Sequence, residues 1–226
     1  INNMKTKFLH IATALLFAGF TSSCSDFLDR YPLDELSDSS FWKTENDAMM
    51  AVTDIYGCLP TWDQDEDINS DNAVHGIKWA AGNISKGIYD PMDQSWAGSY
   101  TPIRQCNLVL EKVKDIEMSD ESRKKIEGQA YFFRAFVYFN LIRSFGDVPY
   151  IDKPLNLTDV EDITRTPREE VYAKVMADFD KAIEYLPEEW DAANTPRVTK
   201  GAALAMKARA ALYYNNWQVA ADASKA

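Results

Sequence analysis

The stretch Gly128-Gln-Ala-Tyr-Phe-Phe-Arg-Ala-Phe-Val-Tyr-Phe-Asn-Leu-Ile-Arg-Ser-Phe-Gly-Asp-Val-Pro149 decides the fold, because its apolar residues recur with the period of an α-helix. One stripe is formed by Ala130, Phe133, Val137, Leu141 and Phe145, and Tyr131, Ala135, Tyr138 and Ile142 widen it. A helix that is apolar over so much of its circumference packs on both sides. We expect Arg134 to pair or to point outward, Gly146 to cap the helix and Pro149 to stop it.

Two further helices are predicted before this stretch. Asp38 or Ser39 can cap the first, which ends at Pro60 and carries an apolar stripe of Phe41, Ala48, Val52, Ile55 and Leu59. The second opens at Trp96 and shows apolar spacing through Leu110. Asn107 falls on that apolar face, so we expect it to bind a neighbouring backbone group.

Three helical segments are predicted after it. Thr166 is expected to cap a helix with Pro167 in its first position and a stripe of Val171, Val175, Phe179, Ile183 and Leu186. The Ala-rich run from Lys200 to Tyr214 follows, with Ala203, Met206, Ala210 and Tyr213 on one face. Asn215-Asn216 is a predicted turn, and Trp217 starts another helix.

The helical segments show weak internal repetition. Gly128, Arg134 and Ala135 are echoed at the same spacing by Gly201, Lys207 and Ala208. The pattern predicts an all-α fold of tetratricopeptide-like helix pairs, an α-solenoid, with a long irregular loop region. Because the chain stops inside a helix pair, we expect it to be truncated at the C-terminus.

The first residues are typical of a secretory signal peptide. Lys5 and Lys7 precede the apolar run 8–20, and Thr21-Ser22-Ser23 lead to Cys24. The run is short for a membrane span. Cys24 after small residues resembles the lipidation site of a bacterial lipoprotein, which predicts a signal peptide at 1–23, acylation of Cys24 and a mature region of 24–226.

Two motifs resemble the SusD/RagB family. One is Arg134-Ala135 with the aromatic-rich run to Leu141 and the following Phe145-Gly-Asp-Val-Pro-Tyr150; the other is Cys24-Ser-Asp-Phe-Leu-Asp-Arg-Tyr-Pro32, which is similar to the start of mature members. The resemblance implies an outer-membrane lipoprotein facing the cell exterior that binds oligosaccharide or polysaccharide for a SusC-like TonB-dependent transporter. It covers essentially the whole chain but only the N-terminal half of the family's length, and it implies binding without hydrolysis.

The segment 61–95 is rich in Asp, Asn, Gly and isolated aromatic residues, and it shows no sustained period. A sugar site needs exposed aromatic faces together with amides and carboxylates. The predicted glycan-binding residues are Trp62, Asp71, Asn72, Trp79, Asn83 and Tyr89, with Trp79 and Asn83 first among them. Packing of Trp79 onto the helices is the alternative for that residue.

Metal and catalytic motifs are weak in this sequence. Ile68 and Val74 stand where an EF-hand spaced from Asp63 needs Gly and Glu, although calcium in another geometry stays open. His10 falls in the signal peptide, so His75 is the one histidine of the mature region, and no catalytic triad is recognisable around it. The sequence also contains no glycine-rich phosphate-binding loop. Cys58 and Cys106 can pair in an oxidising exterior but are expected to stay single on apolar helix faces.

The net charge of −11 argues against nucleic acid as a partner and against docking on anionic lipid. Composition leaves a glycosidase as an open alternative, because any two of the many carboxylates could form its catalytic pair. The main alternative is a tetratricopeptide scaffold lipoprotein that binds only protein or peptide. The Trp-bearing segment 61–95 favours the glycan-binding hypothesis, because a pure scaffold does not need it.

Overall fold

The computed structural model describes residues 41–59, 96–156, 159 and 163–226. Within these ranges the chain forms six α-helices: α1 Glu45–Ile55, α2 Trp96–Lys112, α3 Asp120–Phe145, α4 Arg168–Tyr185, α5 Lys200–Tyr213 and α6 Trp217–Lys225. Short 3-10 turns, Tyr56–Cys58 and Val113–Asp115, extend α1 and α2. The only β-type pairing among the described residues is a single bridge between Val148 and Thr166. The predicted all-α fold is confirmed.

Helices that are neighbours in sequence are neighbours in space. The helix α3 packs against α2 on one side and α4 on the other, and α1 lies against both α2 and α3. The series continues with α4 on α5 and α5 on α6. Such stacking is the pattern of helical repeat proteins, and the tetratricopeptide assignment stays a prediction.

The central helix α3 carries the largest part of the core. Phe133, Tyr138 and Phe139 are fully buried, and buried residues lie all around its circumference. This confirms the prediction that the helix packs on both sides. Ser119 caps its start by accepting the Ser122 N–H, and Gly146 caps its end with a φ of 70°, a conformation that favours glycine.

The predicted first helix is interrupted. Phe41 is helical, but 42–44 are not, and α1 begins at Glu45 with Thr44 as its cap. The predicted cap residues Asp38 and Ser39 lie outside the described residues. The Thr44 hydroxyl accepts the Asp47 N–H, and the Asp47 carboxylate accepts the Thr44 N–H at 2.8 Å. This reciprocal capping box satisfies two backbone donors at once, so it fixes the boundary. The side-chain hydrogen bond from Thr44 also lowers the pKa of Asp47.

The predicted cap of α4 was wrong. The backbone of Thr166 pairs with Val148 in the β-bridge, and its hydroxyl accepts the Tyr150 N–H at 3.4 Å rather than an N–H of the helix that begins at Arg168. A side chain distant in sequence takes over: the Asp147 carboxylate accepts the Arg168 N–H at 2.9 Å. A carboxylate at this position also interacts favourably with the helix dipole.

The last two helices follow the predicted order with one correction. Thr199 caps α5 by accepting the Ala202 N–H, and Asn215 adopts a left-handed φ of 56° in the predicted turn. Tyr213 was expected on the buried face but is 57% exposed. Its ring lies edge-on against Phe139, and the Arg143 guanidinium lies 5.9 Å from the ring centre.

Cys58 and Cys106 are free thiols, which confirms the prediction that each stays single. Cys106 is buried on α2, and Cys58 is half-buried at the end of the turn after α1. None of the helices in the described ranges combines the length and apolar character needed to cross a membrane.

Candidate functional site

The predicted glycan-binding residues Trp62, Asp71, Asn72, Trp79, Asn83 and Tyr89 lie outside the described residues, as does Cys24. Their assignment therefore stays a prediction. The structure describes the scaffold on either side of the segment 60–95. This scaffold consists of the end of α1, the start of α2 and the face of α3 where these two helices meet it.

The end of α1 is fixed by Tyr56. Its hydroxyl donates to Gln129 Oε1 at 2.8 Å and accepts the Val198 N–H at 2.9 Å. Its ring packs edge-on against Phe133, with the ring centroids 4.5 Å apart. Burial raises the pKa of Tyr56, so the hydroxyl stays protonated and can donate. One residue thus joins α1 to α3 and to the strand-like segment before α5.

Arg197 reinforces this junction. Its guanidinium donates to Gln129 Oε1 at 3.2 Å and to the Thr53 hydroxyl at 3.1 Å. The same group lies 5.9 Å from the centre of the Tyr56 ring. The segment that leads into α5 is therefore tied to the end of α1 by a cation that is already hydrogen-bonded.

The start of α2 is fixed by Trp96. Its ring meets Phe145 edge-on at 4.9 Å, and the Arg165 guanidinium lies 5.0 Å from the ring centre. Arg165 also donates to the backbone oxygen of Asp147 at 3.0 Å. Because these contacts occupy the ring, Trp96 serves packing and anchors this end of the segment 60–95.

A buried polar network holds the irregular link after α3. Arg134 donates from two nitrogens to both carboxylate oxygens of Asp178, each at 2.7 Å, and from its third nitrogen to Asn107 Oδ1 at 2.8 Å. Asn107 in turn donates to the Ile151 backbone oxygen at 2.9 Å. The predictions that Arg134 pairs and that Asn107 binds a backbone group are confirmed.

The charges in this network favour a structural role. The hydrogen bonds and charge of Asp178 raise the pKa of Arg134 although burial opposes this, so the guanidinium stays charged. Burial raises the pKa of Asp178, and the hydrogen bonds from Arg134 oppose that shift. Each of the three guanidinium nitrogens already donates to a protein acceptor, which favours a structural role over ligand binding.

Tyrosine hydroxyls complete the support of the link. Tyr138 donates to the Ile151 oxygen at 3.1 Å and accepts the Ile151 N–H at 2.6 Å. Tyr100 donates to the Pro149 oxygen at 3.0 Å. Burial raises the pKa of Tyr100 to about 12, so this hydroxyl also remains a donor at physiological pH. The backbone that follows α3 is therefore held at several points.

A cleft of about 410 Å³ opens where α1, α2 and α3 meet. Its wall includes a half-buried aromatic ring, amides, a carboxylate and two glycines. Among the lining residues are Asp54, Cys58, Gly98, Gln105, Phe136 and Asn140. Cys58 and Gly98 each lie within three residues of an end of the segment 60–95. The cleft therefore borders the part of the chain in which the glycan-binding residues were predicted.

Sequence reasoning missed this cleft, since its residues come from three helices far apart in the chain. The one available signal was Asn140, an uncharged polar residue inside an aromatic-rich run. Within the described ranges no group of three or more His, Cys, Asp or Glu side chains is arranged to hold a metal ion. What the described wall can do is accept and donate hydrogen bonds beside an aromatic ring.

Comparison with known proteins supports a specific family. Residues 26–212 match the SusD-like family model described as starch-binding associating with outer membrane. A SusD-like protein of Formosa agariphila is 29% identical over 96% of this chain and 45% of its own length. One of Bacteroides ovatus is 26% identical over 95% of this chain and 40% of its own. The chain thus spans less than half the length of these curated relatives.

Solved structures show the same fold. A SusD-like protein of Bacteroides fragilis has a TM-score of 0.74 and 26% identity, covering 86% of this chain and 40% of that protein. A SusD-like carbohydrate-binding protein of the same species has a TM-score of 0.68 and 26% identity, covering 81% of this chain and 40% of that protein. The helices, the motif around Arg134 and these matches agree: the chain belongs to the SusD-like family.

Proposed function

We propose that this chain is part of a cell-surface lipoprotein that binds oligosaccharide or polysaccharide and does not hydrolyse it. The observation that carries the proposal is the family match over residues 26–212, with a relative that is itself described as carbohydrate-binding. The composition of the segment 61–95 supports it, since aromatic residues, amides and carboxylates are the groups that contact sugars.

We further propose where the protein is located and which protein it works with. Acylation at Cys24 would hold the protein in the outer membrane, because several acyl chains anchor far more firmly than one. Delivery of the bound glycan to a SusC-like TonB-dependent transporter follows from the family resemblance. Helical repeats offer broad surfaces for such a protein partner.

The test is a glycan-binding array with the Cys24→Ser variant, which stays unacylated, beside the same protein carrying Trp79→Ala. Loss of a stacking contact is expected to weaken binding by about 1–2 kcal/mol, or roughly tenfold. The matched control is Trp190→Ala, because the Trp190 indole is already used in a hydrogen bond to Val198 O at 2.8 Å.

Each outcome has a distinct meaning. Binding that Trp79→Ala weakens and Trp190→Ala does not would support a glycan site in the segment 61–95. Equal binding by both variants would retain the function and move the site away from Trp79. Absence of binding to every glycan, with the protein folded, would favour the scaffold or peptide-binding alternative. Release of reducing sugar from a bound glycan would contradict the non-catalytic assignment.

A further inference from the structure

The cleft between α1, α2 and α3 has a wall suited to a small polar ligand. Its volume of about 410 Å³ is near the lower end of the range for small-molecule sites, roughly 300–1,000 Å³. The Phe136 ring lies half-buried in this wall and stacks on Phe132, with an interplanar angle of 11° and centroids 6.3 Å apart. A ring held in this way presents a fixed apolar surface to a ligand.

Hydrogen-bonding groups stand beside that ring. Asn140 follows Phe136 by one helical turn, so both side chains lie on the same face of α3. No side-chain or backbone group in the described part of the chain is hydrogen-bonded to the Asn140 amide. An amide offers both donors and an acceptor, and at this position all of them are available.

A second polar pair faces the cleft from α1 and α2. The Gln105 amide donates to Asp54 Oδ2, which fixes both side chains and leaves Gln105 Oε1 and Asp54 Oδ1 as acceptors. The described wall contains this one carboxylate and no Lys, Arg or His. An anionic ligand such as a phosphate would therefore meet a negative charge with no cation to offset it.

The geometry points to a neutral, polyhydroxylated ligand, and we infer that this cleft is a second carbohydrate subsite that takes a single sugar residue. The Phe136 ring would contact the apolar C–H face of the sugar, while Asn140 and the Asp54–Gln105 pair would bind its hydroxyls. The inference rests on the proposed function, because it takes the glycan bound by this protein as its ligand. It adds a site that is independent of Trp79.

Gly98 allows the cleft to be filled without disturbing its neighbours. A Cβ atom at Gly98 would meet no atom within 4 Å, so a larger side chain can be introduced there. Gly201 is the matched control, because it is also helical and its Cβ would meet only the Thr199 hydroxyl at 3.8 Å. Asn140→Leu is a second, independent variant that removes the free amide and keeps the side chain of similar size.

Cys58 provides a readout at the cleft itself. Cys58 lines the cleft, and a ligand bound there should slow the alkylation of this cysteine by iodoacetamide. The experiment uses the Cys24→Ser protein with maltohexaose, laminarihexaose and the glycans that bind in the array. Binding is measured by calorimetry, the alkylation rate of Cys58 is measured at pH 9, and each variant is checked for folding by circular dichroism.

Bound glycan is expected to slow Cys58 alkylation at least fivefold. Gly98→Phe and Asn140→Leu should each weaken glycan binding at least fivefold, whereas Gly201→Phe should leave glycan affinity unchanged. The protection of Cys58 should persist in Trp79→Ala at saturating glycan. Glycan binding with no protection of Cys58 and no effect of either variant would overturn the subsite while leaving the proposed function intact. Absence of binding to any glycan would overturn both.

Discussion

Arg134 of α3 and Asp178 of α4 form a buried ion pair in which two guanidinium nitrogens each lie 2.7 Å from a different carboxylate oxygen. The two side chains are less than a tenth exposed. The third nitrogen of the guanidinium reaches Asn107 on α2, so one cation connects three helices.

Removal of Asp178 should destabilise the protein strongly. In Asp178→Ala the Arg134 charge stays buried without its partner, which typically costs about 3–5 kcal/mol of unfolding free energy. Urea denaturation followed by circular dichroism measures this loss. The control is Glu184→Ala on the same helix, whose ion pair with Lys181 is exposed and is expected to leave the midpoint unchanged.

The double variant Arg134→Met with Asp178→Leu separates the cost of the orphaned charge from the value of the pair. Because neither charge remains, its loss should be smaller than that of Asp178→Ala. A double variant that is less stable than Asp178→Ala would contradict the assignment of the cost to an unpaired buried charge.

Gly128 is predicted to be required for the close approach of α3 to the end of α4. A Cβ there would lie 3.0 Å from Tyr185 Cβ and 3.1 Å from Leu186 Cγ. Gly128→Val should lower the unfolding free energy by about 1–3 kcal/mol, because overpacking forces the helices apart. Thermal unfolding checks this.

The matched substitution is Gly201→Val. Gly201 lies near the start of α5, where a Cβ meets only the Thr199 hydroxyl at 3.8 Å. The melting temperature of the Gly201→Val protein should therefore hardly change. Equal destabilisation by the two valines would show that backbone propensity, rather than helix contact, accounts for the effect.

Tyr56→Phe tests the junction of α1, α3 and the segment before α5. The change removes the hydroxyl that bonds Gln129 and the Val198 N–H, and it leaves that N–H without its partner. The expected loss is about 1–3 kcal/mol, measured by urea denaturation. Tyr213→Phe serves as control, since Tyr213 is more than half exposed, and a similar loss there would argue against the hydrogen bonds as the cause.

The thiol of Cys58 is predicted to react slowly and with a steep pH dependence. Burial raises its pKa from the ordinary 9.0 to about 11, so only a small fraction is thiolate at pH 8. In the Cys24→Ser protein, its alkylation rate should rise about tenfold per pH unit from pH 8 to 10. A rate that levels off between pH 9 and 10 would show an ordinary thiol.

The same shift predicts how stability depends on pH. The folded pKa of Cys58 lies above the unfolded value, so the unfolded chain loses this proton first as the pH rises. The contribution of this group to stability is therefore complete below pH 9 and is lost as the pH rises from about 9 to 11. Cys58→Ala should reduce the slope of stability against pH in that window.

The helix order was predictable because it depends on local patterns. The apolar period around Phe133, the glycine at position 146 and the Asn215-Asn216 turn each act within a few residues, and the structure confirms them. The cap of α4 was predicted wrongly because the Thr166 hydroxyl is already engaged with the Tyr150 N–H, a contact that the local sequence pattern does not reveal.

What the sequence by itself determined is therefore the all-α class, the central role of α3 and the family resemblance. Only the tertiary structure decided the partner of Arg134, since Asp178 is one of many acidic residues and no spacing rule selects it. The same holds for the cleft, where Asp54, Gln105 and Asn140 meet from three helices. Helical periodicity is set by neighbours along the chain, whereas a pairing or a cavity depends on which helix faces come together in space.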